Sequence, residues 1–223
     1  MEGIHTMTRA DFAAHLLDLL RYWEHARDPR GGFHTWRKPD GAIASRSHQS
    51  LVMQSRLLYN YAEGQHCGHA FCAPIAEAQY QFVRERMRVP DGWYASLHED
   101  ALLTPATLDS YANLFVVIGL ARYARAARRA DVLEEAERLL QLIEARTIAG
   151  DFSRDGMVSW SGAGRPRWGG PSQHSADTIL HYLEALVCLR DAGTHLDVDA
   201  RAAATRMLFM DRIFDAEDRK SVV

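Results

Sequence analysis

Three stretches of this 223-residue chain carry polar side chains at helical intervals among apolar neighbours. Gln49, Met53, Arg56 and Asn60 fall at steps of four, three and four, and His174, Asp177, His181 and Glu184 at steps of three, four and three. Between them, the run after Ser110 is almost wholly apolar, with Tyr111 and Asn113 as its polar exceptions. Residues at such steps share one face of a helix. Imidazole, carboxylate, phenol and guanidinium groups are the usual carriers of proton transfer and charge stabilisation. On helices this apolar they are either satisfied within a core or turned toward a wet cavity. Their recurrence on alternate segments favours the cavity.

The elements that must position these groups are seven predicted helices. Apolar residues recur with helical period over 9–26, 47–63, 69–88, 106–128, 131–147, 175–192 and 197–214. Thr8 and Asp11 form a capping pair for the first, and Pro74 sits near the start of the third, where a missing N–H does little harm. Three connectors share a plan: Asp28-Pro29-Arg30-Gly31-Gly32-Phe33, Val89-Pro90-Asp91-Gly92-Trp93-Tyr94 and Ile148-Ala149-Gly150-Asp151-Phe152. Each is a glycine-bearing turn entering an aromatic residue and a short extended segment. Gly31 and Gly92 are 61 positions apart, Gly92 and Gly150 58. A period near 60 holding two helices predicts stacked helical hairpins, with alternate helices forming inner and outer rings. The polar stripes fall on the even-numbered, inner helices.

Composition bounds the function. With 47% apolar and 25% charged residues the chain reads as one soluble all-α domain, not a disordered, collagenous or coiled-coil protein. A net charge of −3 argues against a nucleic-acid partner. No apolar run approaches the ~20 residues of a membrane span, and Met1 to Asp11 shows no signal-peptide pattern. Three sparse cysteines, Cys67, Cys72 and Cys188, fit reduced thiols, and together these features predict a cytoplasmic location. His66, His69 and Cys72 lie at helical steps, but no second ligand pair accompanies them, so no metal is expected. The glycine-rich run Gly162 to Gly170 lacks the Lys-Ser/Thr of a phosphate loop and reads as a loop over one mouth of the stack, a substrate lid. The arginines between Arg122 and Arg129 read as the basic carboxyl end of the fourth helix, favoured by its dipole.

Several segments together resemble the N-acylglucosamine 2-epimerase family of sugar epimerases and isomerases. They are Trp23 with the Asp28–Phe33 turn, Gln54-Ser55-Arg56-Leu57-Leu58-Tyr59, Gly92-Trp93-Tyr94, Tyr111 with Phe115, and His181-Tyr182-Leu183-Glu184-Ala185. The ordered match runs from about residue 20 to 193. The resemblance implies an (α/α)6 barrel of about twelve helices, of which seven are predicted here, hence an incomplete barrel. It implies removal of the C2 proton of a sugar through an enediolate, without a cofactor. By the same resemblance Arg56 and His181 are the catalytic candidates, and Tyr111 and Asp177 the substrate-binding ones. Two further histidines of the family, an acid/base pair, belong to the barrel's second half and have no counterpart here. Val52, Asn113 and Ile179 depart from residues common at their positions.

The expected substrate is a monosaccharide or small oligosaccharide. The last six residues, Asp218 to Val223, resemble a translated sequencing adapter and read as a non-native tail. A chain with seven helices is expected to be truncated, weakly active or inactive, and to self-associate through an exposed apolar edge. The alternatives are another helical-barrel carbohydrate enzyme, a glycoside hydrolase or lyase, and a helical-repeat binding scaffold. Hydrolysis normally needs two facing carboxylates ~5–10 Å apart. Only Asp177, and Glu184 if it is not structural, offer themselves.

Overall fold

The computed structural model describes residues 8–45, 48–98, 110–147, 176–212, 214–215 and 220–221. Each predicted helix has its counterpart: α1 (Arg9–Glu24), α2 (Leu51–His66), α3 (Cys72–Phe82), α4 (Ser110–Ala127), α5 (Ala130–Thr147), α6 (Ala176–Ala192) and α7 (Val198–Arg212). Short strands punctuate them: β1 (Trp36–Arg37) pairs with β2 (Ile43–Ser45), β3 (His48–Gln49) with β4 (Leu97–His98), and β5 (Phe214–Asp215) with β6 (Lys220–Ser221), all antiparallel. The Thr8–Asp11 pair forms the expected capping box on α1, Thr8 N donating to Asp11 Oδ2 at 2.9 Å and Asp11 N to Thr8 Oγ1 at 3.2 Å. α3 continues into a π-helical turn, Val83–Met87.

α2, α4 and α6 form the inner row, with α4 packed between the other two. α1 lies against α2, α3 against α2 and α4, α5 against α4 and α6, and α7 against α6. This is the alternation expected of stacked hairpins. The middle position explains the near-total burial of α4 from Asn113 to Ala121. Gly119 allows its close approach to α2: a Cβ there would lie 2.9 Å from the Ser55 carbonyl oxygen. Tyrosine hydroxyls bond outer-helix carboxylates, linking inner to outer helices and α3 to α5. Tyr123 donates to Glu77, Tyr182 to Glu144 at 2.6 Å, and Tyr94 and Tyr80 share Glu135 at 2.5 and 3.2 Å. Burial raises the phenol pKa of all four, so they stay neutral donors.

The repeat is visible bond by bond. In the first connector Asp28 N donates to Gly32 O at 3.0 Å, Gly31 N to Asp28 O at 2.9 Å and His34 N to Ala26 O at 2.9 Å. In the second, Val89 N donates to Trp93 O at 2.8 Å, Gly92 N to Val89 O at 3.0 Å and Ala95 N to Met87 O at 2.8 Å. Every residue in the second set is 61 positions after its counterpart, the spacing that separates Gly31 from Gly92. Both glycines adopt left-handed φ, +106° and +92°, which other residues rarely accept. The third connector, 148–152, and the glycine-rich run 162–170 lie outside the described residues.

Several predicted boundaries shift: α1 ends at Glu24 rather than 26 and α3 starts at Cys72 rather than 69. α2 starts at Leu51, not Ser47, because His48–Gln49 pair with Leu97–His98. Gln49 therefore lies in β3, not on the helical stripe, and its Nε2 donates to Gly31 O at 2.9 Å. Ser50, at the N-cap, makes no side-chain cap bond. The open N–H groups there are satisfied by side chains of both connectors: Ser50 N donates to Thr35 Oγ1 and Leu51 N to Ser96 Oγ, each at 2.9 Å.

Candidate active site

Arg56, Phe115 and His181 are each the sixth residue of their inner helix, and the three meet. The Arg56 guanidinium carbon lies 4.5 Å from the centroid of the Phe115 ring, and the His181 and Phe115 rings are 4.3 Å apart, inclined at 51°. Tyr111, one turn earlier on α4, stands edge-on to both, 5.3 Å from His181 and 5.2 Å from Phe115. Arg56, Tyr111 and His181 thus converge, as their stripes predicted. Arg56 is exposed and makes no ion pair with any described residue; its charge rests on the face of Phe115. His181 is half-buried, and its Nδ1 donates to Glu184 Oε2 at 2.9 Å. A carboxylate on one ring nitrogen fixes the imidazole's orientation and leaves Nε2 to exchange a proton.

Asp177 is the second residue of α6, level in the repeat with Val52 of α2 and Tyr111 of α4. Its side chain lies outside the described residues. Glu184 pairs within its own helix rather than across helices. Phe115 is the residue that reading the polar stripes missed. Its signal was present, since it follows Tyr111 by four on one helix face.

Asn113 and Ile179 share one level of the repeat. The fourth residues of α2, α4 and α6 are Gln54, Asn113 and Ile179. Gln54 clamps the backbone of Phe33, accepting from its N–H at 3.0 Å and donating to its carbonyl at 2.7 Å. Asn113 does the same to Tyr94, at 2.9 and 3.0 Å. Both amides are fully buried and serve the connectors. Ile179, also fully buried, has no amide to clamp with.

Further along the inner row the chemistry changes. The thirteenth residues are Glu63, Arg122 and Cys188. Arg122 Nη1 lies 3.2 Å from Asp191 and 3.9 Å from Glu63, and Arg125 reaches Asp191 at 3.9 Å. Arg125 lies in the last turn of α4, as the basic carboxyl end of that helix predicted, and Arg122 and Arg125 also face specific carboxylates of the neighbouring inner helices. Burial pushes the Cys188 thiol up to about 11, although nearby Arg122 pulls it down. Because sixth residues meet sixth and thirteenth meet thirteenth, the inner helices run parallel. Their amino-terminal ends make a mouth and their carboxyl-terminal ends a foot. The β3–β4 pair, with His48 opposite His98, precedes α2 at the mouth.

His66 ends α2 and the buried Cys72 opens α3, so the two share no helix face. Among the described residues no three His, Cys, Asp or Glu side chains gather as metal ligands. No described helix is long and apolar enough to cross a membrane.

Comparison with known proteins follows the same lines. The profile of the N-acylglucosamine 2-epimerase (GlcNAc 2-epimerase) family matches residues 31–221. A D-mannose isomerase of Marinomonas mediterranea is 28% identical over 98 residues, 44% of this chain and 25% of that protein. Cellobiose 2-epimerase from Spirochaeta thermophila superposes with a TM-score of 0.82 at 23% identity, over 96% of this chain and 58% of that one. A D-mannose isomerase structure gives 0.76 at 20% identity, over 92% and 53%. The unsaturated glucuronyl hydrolase of Bacillus sp. GL1 gives 0.71 at 18% identity, over 96% and 59%. At these identities the likeness establishes the fold: the seven helices form an arc of an (α/α)6 barrel. The chain spans a quarter of the matched Marinomonas protein and less than three-fifths of each of these solved structures.

Proposed function

The chain belongs to the N-acylglucosamine 2-epimerase family of sugar-converting enzymes, and on that premise we propose that its mouth binds a reducing mono- or small oligosaccharide and catalyses 2-epimerisation or aldose–ketose isomerisation. The C2–H bond breaks, its proton passes to Nε2 of His181, and its electron pair forms the C1=C2 bond of an enediolate. The carbonyl oxygen takes up the negative charge and is held by Arg56, whose planar, permanently charged fork suits that task. Glu184 steadies the imidazolium that forms. Tyr111 packs against the sugar, and Asp177, on the same level, hydrogen-bonds a hydroxyl. A proton delivered to C2 from water on the other face gives the epimer; return of the His181 proton to C1, with the O2 proton passing to O1, gives the ketose.

The observation that supports this reading is the meeting of Arg56, Tyr111 and His181 on Phe115, from three helices far apart in sequence. The described arc lines one side of the mouth, so bound sugar keeps contact with water and turnover by the 223-residue chain is slow. Incubation of mannose and N-acetylmannosamine in deuterated water tests it. Slow entry of deuterium at C2, abolished by Arg56→Ala and His181→Asn, is expected. Entry that survives both substitutions, no entry with either sugar, or release of reducing ends from an oligosaccharide without C2 exchange would contradict it.

A further inference from the structure

At the mouth a guanidinium and a carboxylate stand on either side of one aromatic ring. Arg56 belongs to α2 and Glu184 to α6, and α4, which carries Phe115, packs between those helices. Phe115 is buried, with the Arg56 guanidinium carbon 4.5 Å above its ring centroid and the His181 ring 4.3 Å away. Tyr111 braces the ring edge-on at 5.2 Å. Among the described residues Arg56 makes no ion pair, and Glu184 hydrogen-bonds His181 alone. Both charged side chains reach solvent and are long enough to change partners. Opposite charges so placed attract, and an arginine fork paired with a carboxylate takes both of its oxygens. Such a pair would take Glu184 from His181 and Arg56 from the sugar together.

The foot shows what the same row does without the ring. Seven residues after Phe115, two turns along the same stripe of α4, stands Arg122. There the charges of the outer two helices of the row are joined through the middle one: Glu63 of α2 and Asp191 of α6 both reach Arg122. At the mouth the middle residue is aromatic, and the charges on its two sides stay apart. An aliphatic side chain would offer bulk alone. A ring also holds the guanidinium, because its face attracts a cation.

We propose that Phe115 is a positioning residue that keeps the Arg56 guanidinium off Glu184. Arg56 thereby stays open to a substrate oxygen, and Glu184 stays on Nδ1 of His181. The consequence for turnover rests on the reading of the mouth as the reactive site; the separation of the two charges does not.

The tautomer of His181 tests this without any sugar. Nitrogen chemical shifts of its ring, assigned by comparison with His181→Asn, are recorded in mildly alkaline solution, where imidazole is neutral. In the parent Nδ1 should carry the hydrogen, held there by Glu184. Phe115→Leu keeps most of the bulk, a change that cores tolerate, and removes the π face. Its His181 ring should become a mixture of both tautomers. Adding Arg56→Met to Phe115→Leu should restore the Nδ1–H form, because the competitor for Glu184 is gone; a merely loosened fold would not recover in this way. A parent ring protonated on Nε2, a Phe115→Leu ring that keeps Nδ1–H, or a mixture that persists without Arg56 would overturn the proposal. The expected tautomers without C2 exchange would uphold the role of Phe115 and count against the proposed reaction.

Discussion

At the mouth of the inner row Arg56, Tyr111 and His181 meet around an aromatic ring, and the guanidinium has no carboxylate against it among the described residues. At the foot of the same three helices Arg122 lies between Glu63 and Asp191, with a thiol beside it. One scaffold thus carries two kinds of arginine. Where the charge is answered by carboxylates on both neighbouring helices, it ties those helices together. Where it rests on a π face, it stays available to an anionic oxygen. Helix position alone does not separate a functional from a structural arginine; the partners do.

Substitutions can break this contrast or sharpen it. The largest effect is expected at the mouth, in activity rather than stability. His181→Asn and Arg56→Ala should each slow C2 exchange by about 10²–10⁴-fold. Urea unfolding of Arg56→Ala, at an exposed position, should shift by no more than about 0.5 kcal/mol, and that of His181→Asn, which is half-buried, by about 1 kcal/mol. A large loss of stability in either would erase the distinction. Next comes Gln54→Leu, which strands the buried N–H and C=O of Phe33 and one bond from Gln79 Nε2, made at 2.9 Å. About 3 kcal/mol of stability should be lost.

The foot should respond more modestly. Arg122→Met leaves Asp191 and Glu63 facing apolar surface, and both are partly exposed, so about 2 kcal/mol should be lost by urea titration. Under folding conditions its rate of C2 exchange should match the parent's. The smallest effect concerns thiols. Cys67 is exposed, whereas burial pushes Cys72 and Cys188 each up to about 11. Near neutral pH an aromatic disulfide reagent should therefore titrate one thiol quickly, and Arg122→Met, which removes the group that pulls the Cys188 thiol down, should slow the labelling of Cys188 further.

Much of this was legible in the residues. Helical period located all seven helices, and the 61-residue spacing of Gly31 and Gly92 anticipated two connectors that match bond for bond. Arg56, Tyr111 and His181 stood out because polar groups on apolar helices break a pattern. Phe115 entered only through the family resemblance and without a role, because an aromatic platform looks like core. Gln49 was misread because the pairing that makes it a strand comes from Leu97, far along the chain. The partners of Arg122 were not legible for the same reason, its carboxylates lying 59 positions before it and 69 after. Asn113 looked like a departure in a site and is a clamp on Tyr94, which only the register of the repeat reveals.

The central claim, that sugar sits at the mouth against His181, is open to one direct measurement. The ring-proton resonances of His181, assigned by comparison with His181→Asn, are followed while mannose is added to the folded chain. A saturable shift, retained in Arg122→Met and lost in Arg56→Ala, is predicted. Resonances that do not move at any sugar concentration, or that move equally without the Arg56 guanidinium, would contradict the account.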